Sequence, residues 1–176
     1  MRYVEIRRHA MRSIPGEHLS QAGVSLARKI GGSMGPFDMV VTSVLPRAFE
    51  TAIAMGFAVN TQYLELNTTA EDVNLDPAWL GGFPFFVKAV AEDGAIASFA
   101  RGLADILREI ASRLPDGGRA LVVTHGGFVE AASVACLPSQ DLSGWGSPCD
   151  YCEGVEIAFD GERFTEVELR RIPRQA

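Results

Sequence analysis

The sequence predicts an α/β protein with three layers (α/β/α): a mainly parallel central sheet, helices on both of its faces and a C-terminal β-hairpin. Segments with the apolar pattern of strands alternate with segments that have the apolar pattern of helices. Two strand segments, FDMVVT and ALVVT, have continuous apolar centres, which is typical of strands buried on both faces. Two alternating segments near the C-terminus flank Asp160-Gly161 and predict the hairpin.

The first strand is predicted from Tyr3 to Ile6, where the sequence is rich in apolar residues. The first helix is predicted over residues 19–30, LSQAGVSLARKI. Ser20 is a suitable N-cap for it, because a serine hydroxyl accepts a hydrogen bond from a free backbone N–H of the first turn. Gly31 is suited to end the helix.

A second strand is predicted from Phe37 to Thr42. Pro46 suits the first turn of the helix that follows and extends to Gly56, since a proline there lacks only an N–H that has no helical partner. A third, weaker strand is predicted from Thr61 to Leu66.

Residues 67–100 contain glycine and proline among several aromatic residues and give no clear periodicity. We expect this stretch to form either a lid or insertion, or a loop that packs on the core. The chain length fits one core, so residues 1–176 are predicted to form a single domain.

The remaining elements follow the same alternation. A helix is predicted from Ile96 to Leu114 by an apolar face at helical spacing, and a strand from Ala120 to Thr124. GFVEAASVACL predicts the next helix, and the hairpin strands are predicted over 154–159 and 163–169.

Composition excludes several functions. The net charge is -6 and no run of Lys or Arg is present, which argues against nucleic acid as a partner. Neither a signal peptide nor an apolar stretch of about 20 residues is found, so we expect no membrane association and a cytoplasmic location. The CDYC pair lacks further ligands at zinc spacing, and we expect neither a metal nor a cofactor. The oligomeric state is left open.

Polar, reactive residues directly follow the three strands that are predicted to be most buried. They are Arg8-His9 after the first strand, Ser43 and Arg47 after the second, and His125-Gly126 after ALVVT. Ligands of open α/β sheets bind at the carboxyl ends of the strands. The sequence therefore predicts that two histidines and two arginines meet at one edge of the sheet.

Such a group has the chemistry of phosphoryl transfer. An arginine presents a fork of donors that matches phosphate oxygens and keeps its charge. A neutral imidazole is a competent nucleophile for phosphorus, and nearby cations lower the pKa of a histidine and keep it neutral. We therefore expect His9 to accept a phosphoryl group without a metal.

The motifs RHA at 8–10, TSVLPRAFETA at 42–52 and THGG at 124–127 occur in this order, each behind a predicted strand. Together they resemble the histidine phosphatase superfamily, which is phosphoglycerate mutase-like, and within it the branch of small phosphatases. The first predicted helix and the final hairpin resemble the family as well. The resemblance thus covers most of the chain apart from residues 67–100.

The resemblance implies that His9 is the nucleophile and that Arg8, Arg47 and His125 complete the phosphate pocket. It also implies a proton donor in the middle of the chain, where YLEL places Glu65. The usual Gly-x-Trp-x-Gly continuation is missing, so the alternatives Glu71 and Asp72 stay open.

Three further residues are candidate substrate contacts. Arg12 stands where the family usually has other residue types and offers a substrate-specific cation. Ser43 directly follows the second predicted strand. Gly126 serves either as a turn glycine or as a position where the backbone N–H approaches a phosphate.

The predicted function is a metal-independent phosphatase that hydrolyses a phosphomonoester, on a small molecule or a phosphoprotein, through a phosphohistidine at His9. Two alternatives remain: phosphoryl transfer of the phosphoglycerate mutase type, and a regulatory module that binds phosphate or phosphoprotein without turnover. Met11 and Arg12 depart from the family pattern and weigh against the substrate contacts of a mutase.

Overall fold

The computed structural model describes residues 1–69, 73–75 and 77–173. Its strands are β1 (Arg2–Arg8), β2 (Met39–Ser43), β3 (Thr61–Tyr63), β4 (Arg119–Thr124), β5 (Gly154–Phe159) and β6 (Phe164–Arg170). Its α-helices are α1 (Gln21–Gly31), α2 (Pro46–Ala54), α3 (Gly82–Ala91), α4 (Ala95–Ser112) and α5 (Phe128–Cys136).

The strands form one sheet in the order β3-β2-β4-β1-β5-β6. β1 pairs with β4, β4 with β2, and β2 with β3, all in parallel. β5 runs antiparallel to β1, and β6 runs antiparallel to β5. The predicted mainly parallel sheet with a C-terminal hairpin is therefore confirmed.

Helices cover both faces of this sheet. On one face, α3, α4 and α5 share a core with strand residues such as Ile6 and Val122. On the other face, α1 and α2 pack on Val40 and Leu121. Because successive side chains of a strand point to opposite faces, neighbouring residues of β4 serve different cores. This confirms three layers and explains why ALVVT is apolar throughout.

The first two helices begin as the sequence predicts. The Ser20 hydroxyl accepts a hydrogen bond from the Gly23 N–H at 3.0 Å and caps α1. α1 ends at Gly31, and Pro46 is the first residue of α2. The residues that follow β1 and β2 lie at the same edge of the sheet because both strands run parallel to β4.

The third strand is shorter than predicted. β3 ends at Tyr63, and a 3-10 turn covers Leu64–Leu66. The Leu66 carbonyl accepts a hydrogen bond from the Thr124 hydroxyl at 2.6 Å, which ties the turn to the end of β4. The ladder between β2 and β3 ends at the pair Ser43–Tyr63, and beyond it the chain is held by this side-chain bond.

Residues 67–100 include a 3-10 turn at Ala78–Gly81 and the helix α3, neither of which the sequence predicted. Pro84 made the segment look non-helical in the sequence. It lies in the first turn of α3, where its missing N–H has no helical partner to lose. Phe83 and Phe86 of this helix are fully buried in the core shared with α4 and α5. Within the described ranges, every helix is too short or too polar to cross a bilayer.

Candidate active site

The two histidines lie side by side at the carboxyl ends of neighbouring parallel strands. Arg8, the last residue of β1, is in register with Thr124, the last residue of β4. His9 continues this pairing, because its N–H donates to the Thr124 carbonyl at 2.8 Å. The ring centroids of His9 and His125 are 5.2 Å apart in an edge-to-face arrangement. The structure thus brings together residues that are far apart in the sequence.

The His9 ring is held with one nitrogen turned to the backbone and one to an arginine. Its Nδ1 donates to the Ala10 carbonyl at 2.6 Å, which assigns the hydrogen to Nδ1. The Nε2 atom then carries a lone pair and accepts a hydrogen bond from Nε of Arg47 at 3.2 Å. Ala10 is itself fixed, since its N–H donates to the Thr51 hydroxyl at 2.9 Å. Nε2 is therefore the nitrogen available as a nucleophile.

The His125 ring is anchored from the side of β2. Its Nε2 lies 2.7 Å from the Ser43 hydroxyl, and both residues are buried. That hydroxyl accepts a hydrogen bond from the Leu45 N–H at 3.4 Å, so its own hydrogen is free to point at Nε2. The Nδ1 atom of His125 is then a donor, buried and without a partner among the described residues. Ser43 orients His125 in this arrangement.

Arg8 lies between two aromatic rings. Its guanidinium carbon is 5.0 Å from the centroid of Trp79 and 4.3 Å from that of Tyr151. One of its nitrogens donates to the Cys149 carbonyl at 3.0 Å, and Asp150 is 3.8 Å away. A planar cation stacked on two rings keeps its orientation, because rotation would lose both cation–π contacts.

Arg47 connects His9 to a loop carboxylate. It is the second residue of α2, and it donates through Nε to His9 and through a second nitrogen to Glu17. Its side chain is 17% exposed, whereas that of Glu17 is 51% exposed. The Arg47 cation therefore has an anionic partner at the mouth of the site.

Both histidines are held neutral. Burial lowers the pKa of His9 to about 4, with further lowering by Arg47, Arg8 and Arg12, although the bond to Ala10 opposes the shift. Burial also lowers the pKa of His125, to about 3, and the charges of His9, Arg47 and Arg8 add to this shift. A neutral His9 keeps its nucleophilic lone pair well below neutral pH.

These pKa values predict an unusual response to acid. After correction for the ionisation of the substrate, kcat/KM should show no loss from histidine protonation between about pH 7 and pH 5. Unfolded histidines bind protons below about pH 6.5, so the stability that neutral His9 contributes is present above that pH and is lost as the pH falls towards about 4. Ring ¹⁵N shifts of His9 that titrate near the ordinary histidine value would contradict the prediction.

Gly126 is in close contact with an aromatic ring. A Cβ atom at Gly126 would lie 2.7 Å from the Trp79 ring, so any other residue there would require the ring to shift. Gly127 also faces Trp79 and has a φ of +84°. The glycine pair thus lets Trp79 lie over the turn after His125 while it stacks on Arg8. Residues 67–100 supply this wall of the site through Trp79.

Arg12 lies at the mouth and not beside the reacting nitrogen. It donates to the Gly16 carbonyl at 2.6 Å and is 3.9 Å from Glu17. Its side chain is 38% exposed, so a bound substrate has access to it. Its charge contributes to the lowered pKa of His9. The structure places Arg12 near the pocket without a direct contact to His9.

Of the candidate proton donors, Glu65 lies in the turn that follows β3. Glu65 is exposed, and the next residue of the same 3-10 turn, Leu66, accepts the hydrogen bond from the Thr124 hydroxyl. Glu65 is therefore tied to the same edge of the sheet as His125, with its carboxyl in solvent. Glu71 and Asp72 lie outside the described residues.

Four residues of the site were missed in the sequence: Glu17, Trp79, Glu130 and Tyr151. Glu130 had a visible signal, because Gly127 and Glu130 have the spacing of an N-cap and the third helical residue in a capping box. Tyr151 lies within the CDYC stretch, which we judged only as a metal motif. Glu17 and Trp79 gave no local signal, since their roles depend on contacts with distant segments.

Solved structures with the same fold include three enzymes of phosphate chemistry. Phosphoserine phosphatase from Entamoeba histolytica in complex with 3-phosphoglyceric acid has a TM-score of 0.73 and 16% identity, with 98% of each chain covered. A mycobacterial glucosyl-3-phosphoglycerate phosphatase in complex with VO3 has a TM-score of 0.65 and 18% identity, with 98% of this chain and 100% of that chain covered. Phosphoglycerate mutase from Bacillus anthracis str. Sterne has a TM-score of 0.66 and 17% identity, with 95% and 91% covered.

At these identities the likeness establishes the fold. Among proteins with curated descriptions, none is similar enough in sequence to match this chain. The sequence does match the family model of the histidine phosphatase superfamily (branch 1) over residues 7–171. That match spans nearly the whole chain and includes all three motifs, so the chain belongs to the histidine phosphatase superfamily, branch 1.

Proposed function

We propose that this protein is a phosphatase that hydrolyses a phosphomonoester through a phosphohistidine formed on Nε2 of His9. The observation that carries the proposal is the state of that ring. Its hydrogen is on Nδ1, its pKa is lowered to about 4, and its Nε2 lone pair lies beside the guanidinium of Arg47. A neutral imidazole with a free nitrogen among cations suits attack on phosphorus.

The first step forms the N–P bond. Arg47 moves its Nε–H from His9 to a phosphoryl oxygen, and Nε2 attacks phosphorus. The P–O ester bond breaks, and its electron pair leaves with the alcohol oxygen, which takes a proton from a carboxyl group. Arg8 and the Nδ1–H of His125 are the further donors available to the equatorial oxygens, whose charge they offset.

The second step releases phosphate. A water molecule attacks phosphorus and gives its proton to the carboxylate. The N–P bond breaks, and its electron pair returns to Nε2 of His9. We propose Glu65 as this carboxyl group, with Glu71 and Asp72 as the alternatives. The proposal also assigns contact with the leaving group to Arg12, whose side chain is 38% exposed at the mouth.

A phosphorylated small molecule is the first substrate class to test. Two of the structurally similar proteins are phosphatases named for small phosphorylated molecules. The mutase alternative needs the phosphoryl group to return to the substrate. The mouth of the site is partly open to solvent, since the Arg12 side chain there is 38% exposed, and this access favours transfer of the phosphoryl group to water.

The test compares wild type with Glu65→Gln on two substrates. Wild type should release phosphate from an aryl and from an alkyl phosphate, and rapid quenching without acid should trap a phosphohistidine. In single-turnover experiments, Glu65→Gln should form the phosphohistidine roughly 10²-fold more slowly from the alkyl phosphate, whose alkoxide needs a proton, and at nearly the wild-type rate from the aryl phosphate.

Each outcome separates one hypothesis. Absence of both phosphate release and a trapped phosphohistidine would leave a binding module. Exchange of the phosphoryl group between positions of a phosphoglycerate, without net release, would favour a mutase. Equal losses on both substrates in the rate of phosphohistidine formation by Glu65→Gln would contradict Glu65 as the donor, and Glu71→Gln and Asp72→Asn are then compared by the same measurement.

A further inference from the structure

Glu130 is a buried carboxylate next to the active site. It lies in the first turn of α5, has no exposed surface and was not used in the proposed reaction. One of its oxygens accepts a hydrogen bond from the Gly127 N–H at 2.8 Å, and the other accepts one from the Cys149 N–H at 2.6 Å. A single side chain therefore joins the turn after His125 to the segment that precedes β5.

Both of these contacts lead to residues that we assign to the phosphate pocket. The Cys149 carbonyl accepts the hydrogen bond from Arg8, so the residue whose N–H binds Glu130 also orients the Arg8 guanidinium. Gly127 is two residues from His125, and its φ of +84° makes the position of its N–H specific to this turn. Glu130 thus contacts the supports of Arg8 and of His125 at the same time.

Burial of the Glu130 carboxylate costs free energy unless hydrogen bonds or nearby cations offset it. Burial raises the pKa of Glu130, while its backbone hydrogen bonds and the nearby charge of Arg8 oppose this shift. Among the described residues, no ion pair within 4.0 Å involves Glu130. The buried carboxylate is stabilised by two N–H donors and by the positive charge of Arg8. The ionisation of Glu130 therefore depends on the position of Arg8.

We propose that Glu130 is a positioning residue for phosphate binding, acting on Arg8 through Cys149 and on His125 through Gly127. This inference rests on the proposed function, because it assigns Arg8 and His125 to the phosphate pocket. A carboxylate suits this position because both of its oxygens accept hydrogen bonds, one from the Gly127 N–H and one from the Cys149 N–H. An amide of the same shape offers one acceptor and one donor, so one of the two N–H groups is left facing a donor.

The test is the substitution Glu130→Gln, with vanadate and inorganic phosphate as probes. We expect both probes to bind about tenfold more weakly, because the orientation of Arg8 is relaxed. The matched control is Ser133→Ala, which removes a buried hydrogen bond from the same helix, that of the Ser133 hydroxyl to the Val129 carbonyl at 2.6 Å. Ser133→Ala should bind both probes as wild type does.

A double-mutant cycle with Arg8→Lys separates positioning from general loosening of the structure. If Glu130 acts through Arg8, Glu130→Gln should weaken vanadate binding much less in the Arg8→Lys background than in wild type. Additive losses, or no loss in Glu130→Gln, would overturn the inference. If wild type neither binds phosphate nor hydrolyses a phosphomonoester, the proposed function fails and the inference fails with it.

A measurement that leaves Glu130 in place covers the case in which Glu130→Gln does not fold. The side-chain carboxyl ¹³C signal of Glu130 is compared in wild type and Arg8→Lys. We expect it to shift, because Lys cannot keep the bond to Cys149 and the stacked charge in the same positions. A signal that stays in place would show that Arg8 and Glu130 are not linked, and would overturn the inference.

Discussion

Replacing His9 with alanine should lower kcat for an aryl phosphate by about 10⁴-fold or more, because the covalent route is then closed. The remaining arginines still bind phosphate, so the affinity for vanadate as an anion should fall far less than kcat. The expected loss is the largest that any single substitution in this chain should produce. It is measured as single-turnover phosphate release, together with the absence of a trapped phosphohistidine.

The matched control is His18→Ala. His18 is the one histidine of the sequence besides His9 and His125. Its side chain is 73% exposed and bonded to Glu50 outside the pocket, so its removal should leave kcat unchanged. The His9 ring is buried, so some loss of stability in His9→Ala is expected, and the melting temperature of each variant must be recorded. A folded His9→Ala variant with substantial activity would refute the assignment of His9. Added imidazole should restore part of the lost rate, because it supplies the missing nucleophile.

The sequence predicted the centre of the site because parallel strands place their carboxyl ends together. Once YVEI, MVVT and ALVVT were assigned as buried strands, Arg8, His9 and His125 had to emerge at one edge. The register of Arg8 with Thr124 is a direct consequence of that topology. Local rules also sufficed for the start of α1 at Ser20, since its capping bond reaches only three residues along the chain.

The surroundings of the site could not be predicted in the same way. Trp79 matters only because it lies over Gly126 and Arg8, and nothing local to AWLGG indicates this. The same holds for Glu17, which reaches Arg47 across thirty positions in the sequence. The end of β3 is a third case, because the turn at Leu64–Leu66 is bonded to Thr124, which lies 58 residues from Leu66 in the sequence. Contacts of this range depend on the folded core and have no periodic signature.

The second large effect is expected for Arg8→Lys, with a loss of about 10²-fold in kcat/KM for an aryl phosphate. Both residues carry one positive charge, so the loss measures geometry. The guanidinium of Arg8 stacks between Trp79 and Tyr151 and donates to the Cys149 carbonyl, while its remaining donors stay available for phosphate. A lysine ammonium is a strongly hydrated point charge without a planar face, so it cannot meet these demands together.

The control for Arg8→Lys is Arg163→Lys, because Arg163 lies in the turn between β5 and β6 with its side chain 83% exposed. That variant should keep the activity and the melting temperature of wild type. The way in which the Arg8→Lys loss divides is itself informative. If the guanidinium binds the phosphate equally in the ground state and the transition state, Arg8→Lys should raise KM and keep kcat. A fall in kcat would show that its donors engage mainly as charge develops on the equatorial oxygens. Since Arg8 is also expected to hold inorganic phosphate before any reaction, we expect the loss to divide between a higher KM and a lower kcat. An unchanged kcat/KM would contradict the role of Arg8 in the pocket.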